Sequence, residues 1–441
     1  MSSDITRINT AAESRLVEQF EAAHGSIPGV TSERRAQAIE AFARTGLPHR
    51  RIEAWHYTDL RTVMREAFPP ASAPSVESVE RARAFVERLP AARARAVLID
   101  GHFTPELSRS EADGVAIRSM LDVLGEGASD VVALLAARTF EEQEAVLALN
   151  AAFMQGGAVV HIAPGAQVEQ PIEIVFITTA EVASATATRS LLHVGEGSAA
   201  TVVERHESIG KAPAQGNHVV IVAVDASAKL DHIVMTSEGG AGVQQVATMI
   251  GNLQAQSEYT SFALVRGSGL VRRQAFLEFQ GSHAKGTLRG VGLLDGAGHA
   301  DTTLLVTHKA THCESRELFK HILDGTSTGV FQGKVVVAPG AQKTDGKMMS
   351  RAIFLADGAN MYNKPELEIF ADDVVCGHGA TAGFLNEEQL FYLRARGVPK
   401  KEAEALLLEA FAAEAIEDVG TEAIRAELTE SVGQWLRQRQ D

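Results

Sequence analysis

The residues best suited to chemistry lie in PELEIFADDVVCGHGATAGF, residues 365–384, where Cys376 and His378 stand two apart among glycines. A thiolate and an imidazole are ligands for soft and borderline metals, and the neighbouring glycines leave the backbone open to approach. If the run stays extended, period-2 alternation turns Glu366, Glu368, Phe370, Asp372, Val374, Cys376 and His378 to one face. Two donors do not close a metal site. The pair reads either as a small buried hydrophobe beside a hydrogen-bonded turn residue, or as half of a site that a second chain completes. A second group, THKATHCES at 307–315, gathers His308, His312 and Cys313 as another candidate half-site. His161, His193, His206, His218, His232 and His283 are scattered singly and read as solvated or hydrogen-bonded side chains.

The β-rich run that carries Cys376 is expected to end in a turn at Gly377 and Gly379. It closes a long region, from Ala158 to about Gly383, of short alternating runs rich in Val, Thr, Ile and Phe, separated by Gly, Asn, Asp and Ser. A small or polar pair followed by an alternating strand recurs there. With Ala199, Ala228, Ser257, Ala284 and Ala300 as markers, the steps are 29, 29, 27 and 16 residues. Such a quasi-repeat points to a β-solenoid, whose open ends must be covered or paired with another chain. The shortened last step keeps a double-sheet sandwich or cupin-like barrel open as the rival.

Helical patterns flank this region. Helices are expected over 5–24, 32–44, 79–89, 130–138 and 141–153, and a short strand over 96–100. These make a mostly helical part, residues 1–155, with a linker expected at 69–78, ahead of the β core at 156–385. GLPHRRIEAWHYTDL, residues 46–60, reads as a helix N-terminus pinned to the core by Trp55 and Tyr57. At 386–441 Asn386 caps a first helix, Gly397, Val398 and Pro399 make a turn, and KKEAEALLLEAFAAEAIEDV carries an apolar stripe for the core or for a partner.

The chain has 441 residues, two cysteines and a formal net charge of -15. Two cysteines exclude a disulfide framework and a self-contained cysteine-rich cluster motif. The acidic balance argues against nucleic acid or an anionic membrane as the main partner, no apolar run reaches membrane-span length, and the N-terminus lacks a secretory pattern, so a cytoplasmic protein is expected. No phosphate-binding loop, serine-hydrolase elbow or zincin motif occurs, so no ATPase or hydrolase activity of its own is expected.

The segments SRELFKHILDG, GVFQGKVVVAPGAQKTDGK, KPELEIFADDVVCGHGAT and LFYLRARGV, with GLPHRRIEAWHYTDL near the start, closely resemble the SufB/SufD family of iron-sulfur cluster assembly proteins, and the SufD branch in particular. The resemblance implies a central right-handed parallel β-helix between helical regions. It implies a non-catalytic scaffold subunit that pairs with a SufB-like paralogue through the β-helix and binds a SufC-like ABC ATPase through helices at about 387–417. His378 matches the family histidine that faces a partner cysteine at the nascent-cluster site; Cys376 is carried over as a ligand or a structural residue. A transient iron-sulfur cluster is implied in the complex and no tightly bound cofactor in the isolated chain; reduced flavin finds no fingerprint that would locate it. Two other readings stay open: a purely structural adaptor, and a stand-alone metal-binding solenoid. The isolated chain could also pair with itself through the edge that meets SufB.

Overall fold

Between residues 184 and 384 the described strands repeat one move: each is followed by a strand on the opposite wall. The computed structural model describes residues 9–23, 32–128, 131, 134, 144–237, 242–267 and 269–439. Its strands form an eleven-stranded and a nine-stranded sheet, and from Ala158–Ile162 onward successive strands go to alternate sheets. Within each sheet they pair in parallel, from Lys229–Ser237 on Ala199–Ser208 to Val375–Phe384 on Asp345–Phe354. Parallel neighbours linked through the opposite sheet define a β-solenoid and rule out an antiparallel sandwich or barrel.

The repeat is written in the corners. Six successive corners that lead into the eleven-stranded sheet each hold one residue in the left-handed region: Gly197, Ser227, Gln256, His283, His312 and Lys343 in turn. A small buried residue follows each: Ser198, Ala228, Ser257, Ala284, Cys313 and Thr344. The anomalous step of 16 residues arises because Ala300 belongs to His299–His308, in the other sheet. The residue next to Ala284 in its own column is Cys313, since Lys285 pairs with Glu314.

Inward-facing side chains of both sheets fill the interior, among them Leu230, Leu253, Leu277, Phe279, Leu288 and Phe331. Each contributes about 1.5–3 kcal/mol by leaving water. The nine-stranded sheet is covered outside by helices Met120–Gly125 and Ala145–Phe153, against Leu191, Ile221, Val246 and Ile250. The eleven-stranded sheet is covered by Lys400–Ile416 and Glu422–Gln438, whose Leu408, Ala412, Leu428 and Trp435 pack on Ile233, Phe262, Val291 and Ile322. Further helices run over Ala11–Ala23, Ser32–Thr45 and Val76–Val86. All but two residues of the helix expected over 130–138, and residues 5–8, 24 and 141–143 of the others, lie outside the described residues.

The two ends of the solenoid differ. At the first, Ala94–Ile99 is overlaid antiparallel by His102–Phe103 and Arg109–Ser110, and Val115–Ser119 caps Ala158–Ile162 antiparallel. At the other, Asn360–Ile369 and Val375–Phe384 end their sheets, and among the described residues each is paired on one side only.

Candidate shared-cluster site at the open end

Cys376 and His378 lie in the last strand, Val375–Phe384. The glycines expected to break this run do not: the corner falls earlier, over 370–374, and the strand runs straight through Gly377 and Gly379. An edge strand tolerates them, and one serves packing, because a side chain on Gly379 would come within 2.7 Å of the Met349 methyl. The corner separates the strand from Glu366 and Glu368, so of the long face expected from alternation only Cys376 and His378 stay paired.

The strand register fixes their direction. Cys376 continues the column Leu230, Tyr259, Gly286, Ser315, Gly346, and His378 the column His232, Ser261, Leu288, Glu317, Met348. Both columns contribute to the interior, so thiol and imidazole stand at the mouth of the solenoid, on its inward face. Cys376 is half-buried against the core, while His378 is exposed. Burial pushes the Cys376 thiol up; a hydrogen bond from the Gly346 backbone opposes this, and the charges of Asp345 and Glu317 add to it. The thiol therefore stays protonated until a cation displaces the proton. Two strands below His378 in its column, Glu317 is buried with neither carboxylate oxygen well hydrogen-bonded, and burial raises it to about 8.

The backbone shows which edge is open for pairing. The Val375 amide donates to the Thr344 carbonyl, so alternation turns the amides of Cys376, His378, Ala380, Ala382 and Phe384 outward. This strand has no charged residue and no proline. Its companion Asn360–Ile369 is blunted: Asn360 donates inward to Ser327, which turns the position of Pro365 outward, where a donor is missing, and Lys364, Glu366 and Glu368 add charge. The N-terminal motif covers that strand as well. Tyr57 stacks on Tyr362 at 4.8 Å and Lys364 pairs with Glu53 at 2.5 Å.

The motif at 46–60 is thus structural. It forms a short 3₁₀ turn, Glu53–Trp55, and ends in the expected helix N-terminus, where the Asp59 side chain accepts from the Thr62 amide to cap the one-turn helix Leu60–Val63. Trp55 is buried over the Arg272 guanidinium at 3.7 Å, and Arg272 pairs with Asp301, to which Thr58 also donates. Residues 69–71, inside the expected linker, hydrogen-bond to Ala185 and extend the nine-stranded sheet.

The group at 307–315 does not converge. His308 is buried, lies flat on Phe279 at 4.3 Å and meets the Ser315 hydroxyl at 3.1 Å, and burial lowers it to about 4. His312 occupies a left-handed corner and stacks on His283 at 4.7 Å. Cys313 is buried, and its thiol donates to the Gly281 carbonyl at 3.3 Å. Among the described residues no three His, Cys, Asp or Glu side chains have metal-holding geometry. Several of the scattered histidines have partners, on the same strand or one turn away, that sequence reasoning missed. His161 meets His193 at 3.1 Å, His193 meets Asp225 at 2.9 Å, and buried Glu204 joins His206 and His232 at 2.5 and 2.9 Å. Alignment of the sequence at the solenoid period would have exposed these columns.

Beyond the last strand the exposed apolar surface continues. Asn386 caps helix Glu387–Ala395 by accepting from the Glu388 and Gln389 amides, and none of the helix's residues is buried. Phe391 is 73% exposed, Phe384 64% and Tyr392 56%. Eight of the eleven exposed large hydrophobics among the described residues fall between Tyr362 and Leu406, so this end is the least covered of the molecule.

Residues 176–411 match a family model described as the SufBD core domain of SUF system FeS cluster assembly, and residues 12–174 match one described as the SufBD protein N-terminal region. The chain is 28% identical over 405 residues to the iron-sulfur cluster assembly protein SufD of Escherichia coli, covering 91% of this chain and 92% of that one. A SufBD family protein of Synechocystis is 29% identical over 420 residues, covering 92% of each. The chloroplastic protein ABCI7 of Arabidopsis thaliana is 27% identical over 406 residues, covering 89% of this chain and 83% of that one.

Proposed function

Because the chain belongs to the SufBD family of the SUF iron-sulfur cluster assembly system, we propose that it is the SufD-like subunit of a cytoplasmic assembly scaffold. It adds a SufB-type paralogue to the edge of Val375–Phe384, and the nascent cluster, the cargo of the complex, forms between the chains beside His378. A SufC-type ATPase docks on the helices at about 387–417. The observation that carries this reading is the asymmetry of the solenoid: one end is capped antiparallel, the other offers an uncharged strand with outward amides and two potential ligands.

A site shared between chains accounts for the shortage of donors in this one. His378 is exposed and either ligates iron through its imidazole or holds a partner thiolate by hydrogen bonding. Cys376, half-buried and protonated, is the weaker ligand: to bind iron it must lose packing as well as its proton. The helix Glu387–Ala395 suits a docking role because its Phe391 and Tyr392 stay exposed within the chain. This chain supplies surface and ligands, and the ATPase supplies the chemical energy.

The test is an anaerobic affinity pull-down of the chain from its native cytoplasm, with co-purifying proteins identified by mass. An ABC-type ATPase together with a cysteine-richer paralogue is the expected outcome. Recovery of the chain alone, or paired only with itself and carrying its own stoichiometric metal, overturns the proposal.

A further inference from the structure

Helix Lys400–Ile416 is fastened to the eleven-stranded sheet at one point by an unusual arrangement. The Lys320 side chain is wholly buried beneath the helix, donates to the Phe411 carbonyl at 2.6 Å, lies 4.4 Å from the centre of the Phe411 ring, and pairs with Glu414. Arg351, on the neighbouring strand, reaches the same Glu414 carboxylate at 3.2 Å. Lys320 and Arg351 are register partners, and the next residue in their column is Thr381, in the strand that carries Cys376 and His378. Glu414 therefore holds the two turns of the solenoid directly beneath the candidate site. A lysine without any exposure is costly unless paired, so the helix cannot slide here without leaving a buried charge uncompensated.

The segment ahead of this clamp has no comparable hold. Only Leu385 and the capping Asn386 separate Val375–Phe384 from helix Glu387–Ala395, which buries no residue. A pull on that exposed helix acts on the site strand at one end and on the clamped helix at the other. We propose that the Lys320–Arg351–Glu414 triad is the fulcrum of this lever: it fixes Lys400–Ile416 to the turns below, so that displacement of Glu387–Ala395 is delivered to the strand bearing Cys376 and His378. Lys320 and Arg351 are positioning residues in this scheme. It rests on the reading that an ATPase docks on the C-terminal helices, and it adds where the resulting force is resisted.

The experiment uses the complete complex with the ATPase and the paralogue, and compares wild type, Lys320→Met, Arg351→Ala and Arg351→Lys. Three quantities are read: ATPase retained on purification, ATP hydrolysed, and clusters formed per ATP hydrolysed. The expected result for Lys320→Met and Arg351→Ala is retention and hydrolysis within about twofold of wild type, with clusters per ATP reduced at least about tenfold. Arg351→Lys, which keeps the charge, retains the wild-type ratio. A merely structural defect lowers the yield of complex without changing the ratio. An unchanged ratio in Lys320→Met, or in Arg351→Ala if the former does not assemble, overturns the fulcrum. Failure of the wild-type chain to retain any ATPase refutes the docking reading instead, so the two failures are distinct.

Discussion

Ala380→Pro separates the stability of the solenoid from its capacity to add a strand. The Ala380 amide points to the open side, so proline removes no ladder bond within the chain, and Gly379 before it accepts the extended conformation that proline imposes. At the partner edge one donor is lost, and the ring stands in the gap of about 4.8 Å that a paired strand needs. One net hydrogen bond is worth about 1 kcal/mol, and holding the strands apart removes its neighbours too, for a total of about 2–4 kcal/mol. That corresponds to roughly 30- to 1000-fold in Kd for the paralogue. Calorimetric titration measures the affinity, and urea unfolding of the isolated chain should show a change below about 1 kcal/mol. Pro365→Ala restores an outward donor in the companion strand and should leave partner affinity unweakened. Binding of Ala380→Pro within twofold of wild type would refute the assignment of this edge.

Other consequences follow from the same packing. Asp301→Ala leaves Arg272 buried beneath Trp55 without its carboxylate and should cost about 3–5 kcal/mol in urea unfolding; a loss under 1 kcal/mol contradicts the clamp. Phe391→Asp should abolish co-purification of the ATPase while shifting stability by no more than about 0.5 kcal/mol, because the Phe391 ring is exposed. Glu317 titrates near 8 when folded and at 4.5 in an unstructured chain, so over that range the native state holds a proton the unfolded state has released. Stability is then full below the unfolded value and lost as pH rises, by roughly 1.4 kcal/mol per unit. Glu317→Gln removes that loss: its advantage over wild type should grow from pH 5 to about 3 kcal/mol at pH 7, and a gap constant with pH excludes a protonated Glu317.

What could be read from the sequence was what repeats locally. Corners followed by alternating strands revealed the solenoid, because six successive turns place a left-handed residue and a small buried one at the same position. The false 16-residue step shows the limit: Ala300 and Ala284 satisfy the same local pattern on opposite sheets, and only the register distinguishes them. Gly377 and Gly379 looked like a turn because glycine breaks an ordinary strand, yet an edge strand tolerates both, and at Gly379, beside Met349, the missing side chain is what permits packing. His308, His312 and Cys313 looked like a cluster because they are adjacent in sequence, but a corner between them sends one to the interior, one to the surface and one under the turn. Pairs such as Glu204 with His232 stayed hidden for the opposite reason, since they meet only across turns. The direction of the Val375 amide, which decides which edge accepts a partner, is not encoded in residue type at all.

The central claim is that His378 works at a cluster site shared with a second chain. It is tested most directly by anaerobic cluster reconstitution on the purified complex with wild-type chain and with His378→Ala, at equal recovery of all subunits. Because His378 is exposed and packs against nothing essential, the complex should assemble normally, and the visible absorption of the bound cluster should fall to background. A wild-type yield of cluster from the His378→Ala complex would contradict the account.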